Sequence, residues 1–297
     1  MGSEIEPLPK LLRTAPDDSS LPILAVDIGG TKFSAALFEN AAMIARETRP
    51  TDRAKGPEWM VEEICTMARA WEFARCGVGF GGPVDFPRQH VALSTHVAGW
   101  ADFPLVDRLQ SALRVPVIVD NDANAGALGE ARFGAGRGHL PMFYLTLSTG
   151  IGGGIVLEDG VLYRGADSWA GEIGHISIHP DGPECLCGAR GCFERMCCGL
   201  WLERDYGKPA QELLRDVSFL DRYVKNLARG LKAAVMLLNP ARIVIGGGIS
   251  KTGEALFVPL REQLRREITA WSGARVDVVP ASLGDDSVLW GAFSLVS

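Results

Sequence analysis

The chain has 297 residues, of which 47% are hydrophobic and 22% charged, with a net charge of −6. That length suits two domains or one large α/β unit with a sizeable core. The acidic balance argues against a partner bound through its phosphate backbone, and no apolar run reaches the ~18 residues of a membrane span, so neither nucleic acid nor membrane is an expected partner.

The opening "MGSEIEPLPKLLRTAPDDSS" lacks the apolar core of a secretory signal, which points to a cytoplasmic protein. Residues 1–20 mix charges with Pro and Ser and read as a flexible lead-in. Periodic structure begins at Leu21. "LPILAVDIGGTKFSAALFEN" is an apolar run, a Gly pair, then alternation, which predicts a hairpin with a buried first strand. "GPEWMVEEICTMARAWEF" has helical spacing in Trp59, Met60, Ile64, Met67 and Trp71, and "CGVGFGGPVDF" reads as strand and turn. "VPVIVDNDANAGALGEARFGAG" predicts a buried strand over Val115–Val119, a polar knuckle and an Ala-rich helix. "MFYLTLSTGIGGGIVLEDGVLYRG" is again strand, Gly turn, strand. "DRYVKNLARGLKAAVMLLNP" predicts a helix stopped by Asn239 and Pro240, "ARIVIGGGIS" a strand entering a Gly turn, and "EALFVPLREQLRREI" another helix. Strands alternating with helices argue for α/β layers.

An apolar strand running into a Gly-rich turn recurs at 23–32, 143–154 and 242–250. Glycine lets backbone N–H groups approach an anion, so "DIGGTK" and "STGIGGG" suit phosphates, although any one such loop is explained as well by a tight turn. Two familiar phosphate motifs fail: no G-x-x-x-x-G-K-[ST] occurs, and the G-x-G-x-x-G formed by Gly77, Gly79 and Gly82 continues into Pro and Asp rather than a helix. Asp27 and Asp122 each follow an apolar strand, where side chains of open α/β sheets face a ligand crevice. A carboxylate there can hold Mg²⁺ or take a proton; the plain alternative is a turn or a cap, with Asn121 to Asn124 capping the Ala-rich helix.

Seven cysteines are an odd number, and disulfide frameworks belong to small secreted domains, so thiols or metal ligands are favoured. His175, Cys185, Cys187 and Cys192 give H-x9-C-x-C-x4-C, a closed Cys₃His set suited to tetrahedral Zn²⁺, against free buried thiols as the alternative. Cys65, Cys76, Cys197 and Cys198 read as small core residues, and His179, without a partner pattern, as a surface or loop residue.

In this order "DIGGTK", "GVGFGGPVD", "VDNDANAGALGE", "STGIGGG", "GEIGH", "CLCGARGCFE" and "IVIGGG" resemble the ROK group (repressors, open reading frames, kinases) of sugar kinases, from Ile23 to Leu295. The resemblance implies an α/β, two-domain actin-like ATPase (ribonuclease H-like) fold with an interdomain active-site cleft. It implies an N-terminal lobe over 21–120 completed by a C-terminal helix at 285–297, and a C-terminal lobe over 121–284 carrying a zinc knuckle. The activity implied is transfer of the ATP γ-phosphoryl group to a sugar hydroxyl, a hexose such as glucose at O6, with Mg²⁺ accompanying the nucleotide. Family members are often dimers, so a homo-oligomer is expected.

By motif, Asp27, Gly29, Gly30, Thr31 and Lys32 correspond to a first phosphate loop and Thr149, Gly150, Gly152 and Gly153 to a second, while Gly246, Gly247 and Gly248 lie toward the adenosine. Asp122 corresponds to the catalytic base. The sugar contacts implied are Gly82, Thr95, Asn121, Asp122, Glu172, His175 and Glu194. The Cys₃His set matches the family's zinc signature. If zinc takes one nitrogen of His175, the other can donate toward a sugar hydroxyl. Many hexokinases of the family carry Pro-Asn before a Gly-Trp; here "LSTHVAGW" has Ser94 and Thr95, as N-acetylmannosamine kinases of the family do, so an N-acylhexosamine is the alternative substrate. The family's repressors need a helix-turn-helix ahead of the first strand, and the 22 residues before Ile23 are too few for one. A sugar-binding relic would be expected to lose the base or the phosphate loops, and both are present.

Overall fold

A computed structural model describes residues 21–93 and 99–297. The expected lead-in at 1–20 and the sugar contact Thr95 lie outside the described residues. The described chain divides into two compact units, 21–121 with 292–297, and 122–291.

In the first unit, β1 (Ile23–Ile28), β2 (Lys32–Glu39) and β3 (Ala42–Pro50) form an antiparallel meander, followed by α1 (Gly56–Ala68) and β4 (Arg75–Phe80). A small ribbon of β5 (Val84–Asp85) and β6 (His90–Val91), then α2 (Leu105–Leu113) and β7 (Val117–Asn121), complete it. The sheet order is β3-β2-β1-β4-β7, with β1, β4 and β7 parallel. β1 is central and fully apolar at Leu24, Ala25 and Val26, as a strand covered on both faces must be. The predicted hairpin is β1–β2. The helical stretch ends earlier than its spacing suggested: Trp71 lies past α1, its N–H reaching back to the Ala68 carbonyl.

The second unit starts with α3 (Asp122–Phe133), then β8 (Met142–Leu147) and β9 (Ile151–Val156), an antiparallel hairpin. After a loop containing a short 3₁₀ turn, Ile173–His175, come α4 (Phe193–Cys197), α5 (Gly199–Tyr206), α6 (Ala210–Leu213) and α7 (Val217–Leu238). β10 (Arg242–Gly246), α8 (Glu254–Ile268), β11 (Asp277–Pro280) and α9 (Ser287–Val296) follow. The second sheet runs β11-β10-β8-β9. Hairpin plus parallel strand thus occurs twice, as β1–β2 with β4 and as β8–β9 with β10. α7 begins at Asp216, whose carboxylate accepts the Phe219 N–H, and stops at Asn239 in the left-handed region, just before Pro240.

One local expectation is corrected. The strand predicted over Val115–Val119 runs instead over Val117–Asn121, and no knuckle intervenes before the helix. Pro116 cannot donate to the ladder, whereas Asp120 and Asn121 keep their register with Gly79 and Phe80, so pairing carries the strand through the polar residues to the first residue of α3. The rejected G-x-G-x-x-G finds its reason: Gly77 lies inside β4, where a Cβ would sit 1.8 Å from the Ala292 carbonyl oxygen.

Candidate active site

Strand ends place the candidate residues. In the first unit Asp27 is the penultimate residue of β1, paired with Ser34 and Gly79, and Gly29–Thr31 form the turn into β2, tightened by the Gly29 N–H to the Lys32 carbonyl. Asn121 closes β7 and donates its side-chain amide to the Gly82 carbonyl at 3.0 Å, so these two expected sugar contacts are joined.

In the second unit Asp122 opens α3, its carboxylate accepting the Ala123 N–H at 2.7 Å. Burial pushes its pKa up to about 6 from an ordinary 3.8, with the neighbouring Glu172 charge adding to the rise. Glu172 is itself raised, first by burial and then by Glu194, against the opposing pull of His175. His175 Nε2 lies 4.0 Å from Glu172 Oε2. Glu194, in the first turn of α4, accepts the Ile151 N–H at 2.9 Å. Four residues spread over Asp122 to Glu194 are therefore brought together. Glycine permits the gathering: at Gly174 a Cβ would meet the Ile151 carbonyl oxygen at 2.3 Å, so the turn bearing His175 lies directly on β9.

Thr149 and Gly150 form the β8–β9 turn, where the Ser148 N–H reaches the Gly150 carbonyl. Gly152 and Gly153 belong to strand β9 itself rather than to the turn. A Cβ on Gly153 would strike the Phe143 ring at 2.5 Å, which accounts for that glycine by packing. Gly246 ends β10 and Gly247 turns at φ 86°, ahead of a 3₁₀ turn starting at Gly248.

The donor atoms of His175, Cys185, Cys187 and Cys192 all lie within 4.8 Å of one another. Cys187 Sγ is 3.6 Å from Cys192 Sγ, and Cys185 Sγ is 3.9 Å from His175 Nδ1. Bonds of about 2.0–2.3 Å to a tetrahedral Zn²⁺ put ligand atoms roughly 3.5–3.8 Å apart, so the set fits zinc. Nδ1 of His175 faces the thiols and Nε2 faces Glu172.

His179 is the loop residue expected, and it has partners that the sequence did not signal. Its Nε2 is 2.8 Å from Asn226 Oδ1 and 3.0 Å from Arg229 Nη1, both on α7, so this residue ties the knuckle to the longest helix. Phe193, fully buried, packs on Gly230 of the same helix. No periodicity signalled these contacts, because the partners stand about 40 to 50 residues away. Cys76, Cys197 and Cys198 are buried as core residues, and Cys65 is half-buried.

Comparison with known proteins places these features. The family model described as the ROK family matches residues 23–297. The glucokinase of Thermotoga maritima is 35% identical, over 93% of this chain and 97% of its own. The crystal structure of a ROK family glucokinase from Streptomyces griseus in complex with glucose and AMPPNP superposes with a TM-score of 0.82 at 31% identity, covering 92% of this chain and 98% of that one. The bifunctional enzyme NanE/NanK of Brucella melitensis is 34% identical, over 94% of this chain and 54% of its own length.

Proposed function

Because this chain belongs to the ROK family and is a sugar kinase of the actin-like ATPase fold, we propose that it transfers the γ-phosphoryl group of ATP to the 6-hydroxyl of glucose, with Asp122 as the general base. The observation that supports this most is the company Asp122 keeps: a carboxylate raised to about 6, at a strand-to-helix junction, beside Glu172, His175 and Glu194. A base poised near neutral pH is ionised in use yet basic enough to take a hydroxyl proton.

In the reaction the sugar oxygen bonds to the γ-phosphorus as its proton passes to an Asp122 oxygen, and the bond from that phosphorus to the bridging oxygen breaks, releasing ADP. The turns at Gly29–Thr31 and Thr149–Gly150 offer N–H groups to phosphate oxygens, and Asp27 and Lys32 lie beside the first of them; Mg²⁺ arrives with the nucleotide. Glu172 and Glu194 accept hydrogen bonds from sugar hydroxyls, and His175 Nε2 donates one. His175, Cys185, Cys187 and Cys192 would hold zinc, which would fix the imidazole and the start of α4 where Glu194 stands; with four protein ligands its role would be structural.

A second reading, N-acetylmannosamine as acceptor, is favoured by Ser94 and Thr95 ahead of Gly99 and Trp100, and by the NanE/NanK relative. An ADP-release assay with Mg-ATP against glucose, mannose, fructose, allose, N-acetylglucosamine and N-acetylmannosamine separates the two. Glucose is expected to turn over fastest. Selective use of N-acetylmannosamine would replace the first reading with the second, and ADP release with none of the six would overturn both.

A further inference from the structure

The turn after β1 has an unusual economy in its oxygens. Every carbonyl from Ile28 to Lys32 already accepts a hydrogen bond: Ile28 from the Gly81 N–H at 2.8 Å, Thr31 from the Thr51 N–H at 2.9 Å, and Lys32 from the Gly29 N–H at 3.1 Å. The remaining two accept from side chains. Thr51 Oγ1 donates to the Gly29 carbonyl at 2.7 Å, and Arg53 Nε donates to the Gly30 carbonyl at 2.8 Å. Both donors come from the segment leaving β3. Pro50 stands opposite Lys32 and has no N–H to give, so the ladder ends there and Thr51 takes up the contact with both backbone and side chain.

An anion is repelled by carbonyl oxygens and held by N–H groups, so a phosphate loop works only while its carbonyls point elsewhere. Glycines at 29 and 30 leave the peptide planes between them free to rotate, and a rotated plane would present oxygen instead of N–H. We propose that Thr51 and Arg53 are positioning residues that lock the Gly29 and Gly30 carbonyls away from the nucleotide phosphates. This rests on the reading of Asp27–Lys32 as a phosphate loop.

The test is steady-state kinetics of Thr51→Val, Thr51→Ser, Arg53→Met and, as a probe of the loop itself, Lys32→Met. Valine keeps the β-branched shape and the backbone N–H of Thr51 but removes the hydroxyl. Losing one such hydrogen bond raises the KM for ATP about three- to tenfold in Thr51→Val and in Arg53→Met, while the KM for sugar and kcat stay within about twofold. Thr51→Ser brings the KM for ATP back to within about twofold of the parent. Arg53 is exposed, so Arg53→Met gives the answer should Thr51→Val fold poorly. An unchanged KM for ATP in both variants, with Lys32→Met raising it, would overturn the lock and leave the phosphate loop standing. No effect in any variant, Lys32→Met included, would remove the loop assignment and the lock together. Parallel rises in both KM values would reduce Thr51 and Arg53 to general structural residues and reject the proposal.

Discussion

Asp122 gathers its properties from single contacts. The Ala123 N–H stabilises its charged form, while burial and the nearby Glu172 disfavour it, and the second pair prevails, raising the pKa to about 6. Below that value the proton stays on, and Asp122 could not serve as the proposed base. We expect kcat/KM to fall about tenfold per pH unit on the acid side of about 6, and Asp122→Asn to lower turnover by at least about a hundredfold while calorimetry still detects sugar binding. Near-normal turnover of Asp122→Asn would sink the assignment. The same shift has a stability consequence of defined sign. A carboxylate raised above its unfolded value binds its proton more tightly when folded, so its charging costs stability as pH rises from about 4 through 6. Asp122→Asn should therefore melt higher than the parent at pH 8, with the difference vanishing near pH 3. The motif pointed to Asp122; the Glu172 charge that adds to its shift comes from 50 positions away, which no local pattern encodes.

Elements decide whether such residues meet. β9 is glycine-rich because two elements lie directly on its backbone: at Gly154 a Cβ would come 2.4 Å from the Ala123 carbonyl oxygen of α3, and the Gly171–Gly174 loop crosses near Gly153 and Ile151. The "IGGG" glycines are therefore accounted for by packing, and of the proposed second phosphate loop the turn at Thr149–Gly150 is the part that packing leaves unexplained. The Cys₃His knuckle is the other organising element. That its four donors form one group was legible from spacing, since three thiols and an imidazole within 18 residues suit a tetrahedral metal. Its attachment to α7 through His179, Asn226, Arg229 and Phe193 was not. We expect Cys187→Ser to weaken zinc binding by at least about tenfold to a hundredfold, to lower the melting temperature and to raise the KM for sugar more than that for ATP. Zinc analysis beside the two KM values checks this; a metal-free parent with full activity would refute the link.

At the scale of the whole chain, each unit carries its own core, one around Leu24, Ile64 and Val119, the other around Leu145, Leu231 and Ile245. The second unit is also tied across 150 residues by a buried carboxylate. Glu130, with no exposed surface, accepts from the N–H groups of Ala135, Ser282 and Leu283 and from the Ser287 hydroxyl at 2.7–3.2 Å. These donors replace the water a charge would otherwise require, and they bind the helix opened by Asp122 to the segment entering α9. Glu130→Gln turns an amide donor toward groups that are themselves donors, so urea unfolding should show a loss of about 2–4 kcal/mol; a loss under about 0.5 kcal/mol would mean the network is dispensable. By itself the sequence determined the alternation of strand and helix, the three glycine turns, the carboxylates at strand ends and the Cys₃His set. All of these rest on local spacing, through periodicity, backbone permissiveness and ligand chemistry. Only the tertiary structure decided that β7 runs through Asn121 to the helix, that Glu194 reaches the Ile151 N–H, that His179 meets Asn226 and Arg229 of α7, and that Thr51 and Arg53 hold the first turn. Each of those is a pairing between distant segments, set by sheet register and close packing, and such pairings leave no signature in the residues on either side.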